Sequence, residues 1–194
     1  MKLRAQIFLF LFFTSLFNPA KTAFSATASK TIPNFAFTNQ DGKTFHLYDF
    51  KGKYVFISFI YTRCPMKSMC PLTTSLTMQL LEKWKKLKHQ RPFHILIVTL
   101  DPQFDTPKVL KNYAQKYRAD LKLATFATGN PQALADFESY FDVLAIPEGG
   151  MVNHNVESVL LSPKMENLKE FYENKWTPQG VLDFIRKNPV RHHR

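Results

Sequence analysis

The residues able to do chemistry in this chain are few. Its 194 residues include two cysteines and six histidines, and both cysteines fall in Thr62-Arg63-Cys64-Pro65-Met66-Lys67-Ser68-Met69-Cys70-Pro71. A disulfide across so short a loop removes little entropy from the unfolded chain. The spacing therefore points to metal ligation or redox work rather than to structural cross-linking. Pro71 suits the first position of a helix, which puts Cys70 at the N-cap, where free N–H groups and the helix dipole favour a thiolate. Pro65 keeps the intervening stretch a loop, and a loop can bring both sulfurs to one ion where a helical step of that length would turn them apart.

A third donor is His154, in Gly149-Gly150-Met151-Val152-Asn153-His154-Asn155. It directly precedes an apolar strand that, if antiparallel to the central ones, begins at the edge where the cysteine loop lies. His46, His89 and His94 fall on strand or helix segments and His192 and His193 in a terminal tail, which makes them weaker candidates. Two thiolates and an imidazole form a soft set that suits copper, as Cu(I) or Cu(II). Zinc would accept the same ligands with a water, whereas iron–sulfur clusters need more cysteines. Met66 and Met69 supply thioethers that Cu(I) accepts, but methionines in such a loop read first as packing. Asp101 and Asp105 read as turn formers and caps for the helix that follows them.

The elements that must position these groups follow from periodicity. Thr31 to Thr38 and Thr44 to Leu47 flank Asn39-Gln40-Asp41-Gly42 as a hairpin. Tyr54 to Tyr61 and His94 to Leu100 are continuous apolar runs, the mark of strands buried on both faces. Between them Leu72, Leu76, Leu80, Trp84 and Leu87 recur at helical steps from Pro71 to about Lys88. Further helices begin at Pro107, Pro131 and Pro178, with strands at Leu123 to Ala127, Val156 to Leu161 and Leu168 to Tyr172, and a loop at Pro147 to Gly150. Strand–helix alternation closing in a hairpin and a helix predicts an α/β, thioredoxin-like fold: a mixed central sheet flanked by helices. A flavodoxin-like sheet fits the same order, but the cysteine pair on the first strand–helix turn favours thioredoxin.

Tyr61-Thr62-Arg63-Cys64-Pro65, Cys70-Pro71, the run Asp101-Pro102-Gln103-Phe104-Asp105-Thr106-Pro107 and Asn153-His154 occur in one order. In that order they resemble the Sco/SenC copper chaperones over about Ile32 to Lys187. The resemblance implies one copper bound by Cys64, Cys70 and His154, and assistance in assembling the binuclear copper centre of cytochrome c oxidase. It implies as partners the copper-centre subunit of that oxidase, or another copper acceptor, and a thiol reductant for a Cys64–Cys70 disulfide. One departure stands out: the usual C-x-x-x-C-P spacing is here C-x5-C-P, which bears on affinity and redox potential more than on ligand identity.

The rival function is a thiol-disulfide oxidoreductase using Cys64 and Cys70, opposed by the spacing, since such enzymes carry C-x-x-C. A peroxiredoxin lacks support because Thr62 and Cys64 do not form T-x-x-C. An inert scaffold with an incidental disulfide leaves His154 unexplained. A metal carrier rather than an enzyme is the expectation.

Lys2 and Arg4 precede an apolar run from Ile7 to Phe17, and Ala26-Thr27-Ala28 follows. This reads as a signal peptide over residues 1–28, with an uncleaved membrane anchor as the alternative, ahead of one domain over 29–194. The expected location is periplasmic or otherwise exported. The formal charge of +11 favours anionic partner surfaces, but export and the lack of a recognition motif argue against nucleic acid. Lys83, Lys85, Lys86 and Lys88 read as a solvated helix face.

Overall fold

The computed structural model describes residues 31–88, 91–149, 151–155 and 157–190. The expected signal peptide, its alternative as an anchor, and His89, His192 and His193 lie outside the described residues. Nine strands and four helices run in the order β1 (Ala36–Asn39), β2 (Thr44–His46), β3 (Tyr54–Ile60), α1 (Cys70–Lys85), β4 (Phe93–Thr99), α2 (Pro107–Lys116), β5 (Ala124–Thr128), α3 (Pro131–Tyr140), β6 (Ala145–Glu148), β7 (Met151–His154), β8 (Glu157–Leu161), β9 (Asn167–Tyr172) and α4 (Pro178–Lys187) among those residues. A 3-10 turn at Leu47–Phe50, which periodicity did not foretell, follows β2.

Seven strands form one mixed sheet in the order β2-β1-β5-β4-β3-β8-β9. The parallel core is β3, β4 and β5, and its strands read as unbroken apolar runs because both faces are covered. Phe56, Ile57, Phe59, Ile60, Ile95, Leu96, Ile97 and Val98 are completely buried. Each such side chain is worth roughly 1.5–3 kcal/mol on burial. Successive side chains leave a strand on opposite faces. Ser58 bonds Thr77 of α1 on one face, and Phe59 meets Phe137 and Phe141 on the other, where α3 lies. Helix α2 joins α1's face through a hydrogen bond between Thr74 and Tyr113, and α4 packs on α1.

Local chemistry explains the boundaries. Asn39 Oδ1 accepts from the Asp41 and Lys43 N–H groups and Gly42 takes a φ of 76° in the β1–β2 turn, a left-handed conformation that glycine adopts without strain. Thr106, Asn130 and Thr177 each cap a helix whose first position is proline, as that ring's fixed φ favours. Strand β8 runs antiparallel to β3 with Ser58 opposite Ser158, so it begins where β3 ends, as the argument for His154 required.

Two expectations are corrected. The stretch from Ala145 to His154 is a small antiparallel hairpin, β6 with β7, in which Pro147 pairs with Val152, rather than a loop before β8. The inner face of α1 keeps Leu80 and Trp84 from the expected stripe, with Leu76 half-buried against the core, but not the stripe's two ends. Leu72 and Leu87 are exposed, while Thr73, Thr74 and Thr77 are fully buried beside Leu80, Leu81 and Trp84. The Thr74 and Thr77 hydroxyls donate to the carbonyls four residues back, of Cys70 and Thr73, and the single Thr73 proton is shared between the Met69 carbonyl and Asn174 Oδ1, which removes the cost of burying them. The lysines after Leu81 are exposed as expected, with Lys85 bonded to Glu82 at 3.0 Å. Among the described residues no helix is long and apolar enough to cross a membrane.

Candidate metal centre

The loop between β3 and α1 carries both cysteines at the carboxyl end of the parallel strands, where ligands collect in such sheets. Cys70 is the first helical residue and Met69 its N-cap, with Pro71 following, so the helix starts one residue earlier than the sequence reading put it. Cys70 is 1 % exposed and Cys64 9 %, and both are free thiols. Burial pushes the Cys70 thiol well above its ordinary range, and the neighbouring Cys64 adds to the rise. This overturns the expectation that the helix terminus makes it a thiolate: desolvation of the charged form outweighs the dipole when the sulfur is cut off from water.

His154 ends β7 and reaches Cys70, its Nε2 lying 3.5 Å from Cys70 Sγ. Its Nδ1 lies 2.8 Å from the backbone oxygen of Asn155. A carbonyl only accepts, so Nδ1 carries the proton and Nε2 presents its lone pair to the thiol. Burial lowers the His154 pKa, partly opposed by that carbonyl, which favours the neutral ring, the form that binds metal. The Asn155 side chain fixes this geometry, accepting from Leu144 N–H at 2.9 Å and donating to the Asp142 carbonyl at 3.1 Å. Tyr61 packs edge-on against the imidazole, with centroids 5.7 Å apart. Its phenol is pushed up to about 12 by burial and by Cys64 beside it.

Both ends of the cysteine loop are pinned by residues to which the sequence reading gave another role or none. Asp105, fully buried, accepts from Thr62 N–H at 3.0 Å, from the Thr62 hydroxyl, and from Thr99 Oγ1 at 2.5 Å. It thus ties the exit of β3 to the end of β4, and it is Thr106, not Asp105, that caps α2. Burial raises the Asp105 pKa against those donors. Asp101 pairs with Arg63 at 2.7 Å, and the guanidinium lies over Phe104 at 4.8 Å. At the other end Asn174 donates to the Ser68 and Met69 carbonyls at 2.9 and 3.3 Å and accepts from Thr73 Oγ1 at 2.9 Å. The D-P-x-x-D-T-P run was the available signal for the first clamp; Asn174, far along the chain, gave none.

Among the described residues no three His, Cys, Asp or Glu side chains are already gathered around one point. The contact present is Cys70 with His154; Cys64 interacts with Cys70 but aims its thiol at the Met66 carbonyl, 3.8 Å away. The donor set still fits a soft cation: two sulfurs and a neutral imidazole. His94 lies elsewhere, buried in β4 with Nε2 2.9 Å from Thr125 Oγ1, and His46 is exposed on β2.

A family model described as SCO1/SenC matches residues 24–188. The SCO1 protein homologue of Bacillus subtilis is 32% identical over 152 residues, 76% of each chain. A SCO1/SenC family lipoprotein from Bacillus anthracis superposes with a TM-score of 0.72 at 29% identity, covering 81% of this chain and 95% of that one. BsSco, described as a member of the Sco family of cytochrome c oxidase assembly proteins with a disulfide switch, gives 0.69 at 28% identity, covering 82% and 93%. ScoI of Bradyrhizobium japonicum with copper bound gives 0.64 at 25% identity, covering 81% and 99%.

Proposed function

We propose, from the premise that this chain belongs to the SCO1/SenC family, that it is an exported carrier which holds copper between Cys64, Cys70 and His154 and delivers it to a copper acceptor. The acceptor we infer is the copper-centre subunit of cytochrome c oxidase. The observation that carries this reading is the approach of His154 Nε2 to Cys70 Sγ at 3.5 Å, across a sequence separation that only the fold closes.

Copper is cargo here, and the residues supply its berth. The Cys70 thiol faces the His154 lone pair, so the place of the thiol proton is the place a soft cation takes. Loading releases protons from the cysteines, while neutral His154 has none to lose. Cys64 completes the set by turning its sulfur from the Met66 carbonyl toward Cys70. Because the same sulfurs cannot be both disulfide and ligands, the Cys64–Cys70 disulfide is the state that refuses copper, and a thiol reductant restores the carrier. A soluble periplasmic form and a membrane-anchored one both follow from the N-terminal segment, and the likeness to a lipoprotein favours attachment.

Thiol-disulfide exchange is the second reading, favoured by the interaction of two free thiols. The experiment offers the copper-loaded protein a reduced copper-centre domain, and the metal-free protein an oxidised one, following copper and thiols separately. Copper passing to the reduced domain supports the carrier. Rapid reduction of the oxidised domain without any copper transfer makes it a thiol reductase instead.

A further inference from the structure

The five residues between Cys64 and Cys70 close on themselves: the Met69 N–H donates to the Met66 carbonyl at 3.0 Å. The same carbonyl is the one that Cys64 Sγ faces at 3.8 Å. The loop thus sets a methionine at each end of a tight turn, Met66 two residues after Cys64 and Met69 directly before Cys70.

The two methionines differ in what they do for the fold. Met69 is half-buried against the core and shares a groove with His154 and Asn174. Met66 is 47 % exposed and outside the core cluster. Packing, the sequence reading for both, therefore accounts for Met69 but not for the exposed Met66 side chain, whose backbone carbonyl alone is engaged in the turn. Its flanking residues Pro65, Lys67 and Ser68 are exposed as well, so the side chain stands open to an incoming complex.

We propose that Met66 is a Cu(I)-selective capture ligand at the mouth of the site, a deepening that rests on the copper-carrier reading. A thioether is soft, uncharged and carries no proton to displace, so it binds Cu(I) and has little affinity for Cu(II). The step is ligand exchange with no change in oxidation state. Cu(I) leaves its donor for the Met66 sulfur; the Cys64 thiol releases its proton to solvent and forms the copper–sulfur bond. The Met66–copper bond then breaks as Cys70 and His154 engage the ion. Oxidation of Met66 to the sulfoxide removes the soft lone pair and closes this entry.

The test uses the reduced full-length protein with methionine methyls labelled by carbon-13, titrated with Ag(I) as a redox-inert stand-in for Cu(I). The Met66 methyl resonance, assigned through Met66→Leu, is expected to shift at the first additions, more than that of the half-buried Met78. In parallel, stopped-flow loading from a weak Cu(I) complex is compared with loading from a Cu(II) complex. Met66→Leu is expected to slow Cu(I) loading by about tenfold, in line with losses seen when ligand-supporting groups are removed, and to slow it more than Cu(II) loading. A motionless Met66 methyl, or equal slowing for both oxidation states, overturns the proposal while leaving the three-ligand site standing. If Cys64→Ser and His154→Ala also leave copper affinity unaltered, it is the underlying carrier reading that falls.

Discussion

Replacing Asp105 with alanine removes the clamp between the cysteine loop and β4, and its cost can be worked from the contacts. The Thr99 hydroxyl is fully buried and already accepts from Asp101 N–H at 3.0 Å, so its proton has only Asp105 to go to. Orphaning a buried donor costs about 1–3 kcal/mol. The Thr62 N–H and hydroxyl sit in a part-buried position where water recovers some of their bonding, adding about 1 kcal/mol. The expected destabilisation of Asp105→Ala is therefore about 3 kcal/mol, a fall of roughly 6–12 °C in Tm for a domain of this size. Asp105→Asn keeps one acceptor oxygen and should cost less. Urea unfolding of the reduced, copper-free protein reads the stability, and competition with a chromophoric chelator reads copper affinity, which should drop on the order of tenfold because Thr62 no longer fixes the approach to Cys64. A loss below about 0.5 kcal/mol, the scale of an ordinary surface change, would refute the clamp. Full destabilisation with unaltered copper affinity would show that the clamp serves the fold but does not position the cysteine.

Three further outcomes follow from the same structure. Asn174→Ala frees the Ser68 and Met69 carbonyls and should speed amide exchange across 66–70 and copper release, with stability falling about 1–2 kcal/mol. His94, lowered to about 3 by burial and then by Lys53, is neutral when folded and takes a proton only on unfolding. Its contribution is present above the unfolded pKa near 6.5 and is lost as pH falls toward 3, so stability should decline across that window and His94→Gln should flatten the acid limb in urea titrations. Glu138, raised to about 7 by burial, has the opposite sign. Its contribution is full below about 4.5 and is lost as pH rises through 7, so Glu138→Gln should be more stable than the parent at pH 8, by about 2 kcal/mol.

What the sequence made legible was whatever local pattern decides. The runs at β3 and β4 announced buried parallel strands because no polar residue interrupts them for long, and Pro107, Pro131 and Pro178 marked helix starts within a residue. Even His154 was placed at the right edge, through an argument about strand direction. The failures share a tertiary origin. Thr73, Thr74 and Thr77 look solvent-facing in a helix, yet they are buried because each satisfies its hydroxyl on the preceding turn. The β6–β7 hairpin is short and largely exposed, and it contains proline and glycine, so nothing in its pattern outweighs a loop. The helix-terminus argument for a Cys70 thiolate failed because burial, which periodicity does not report for a loop residue, decides the sign. Asp105 carried a helix-cap signature, and only the fold reveals that its neighbour Thr106 does the capping while Asp105 turns inward.

The identity of the copper ligands decides whether this protein carries copper in the proposed way. X-ray absorption at the copper edge of the reduced, singly loaded protein, compared with Cys64→Ser, Cys70→Ser and His154→Ala, reads them directly. Two sulfurs and one imidazole are expected in the parent, one sulfur lost in each cysteine variant, and the imidazole scattering lost in His154→Ala. An unchanged imidazole signal in His154→Ala, or copper that binds the oxidised protein as well as the reduced one, would contradict it.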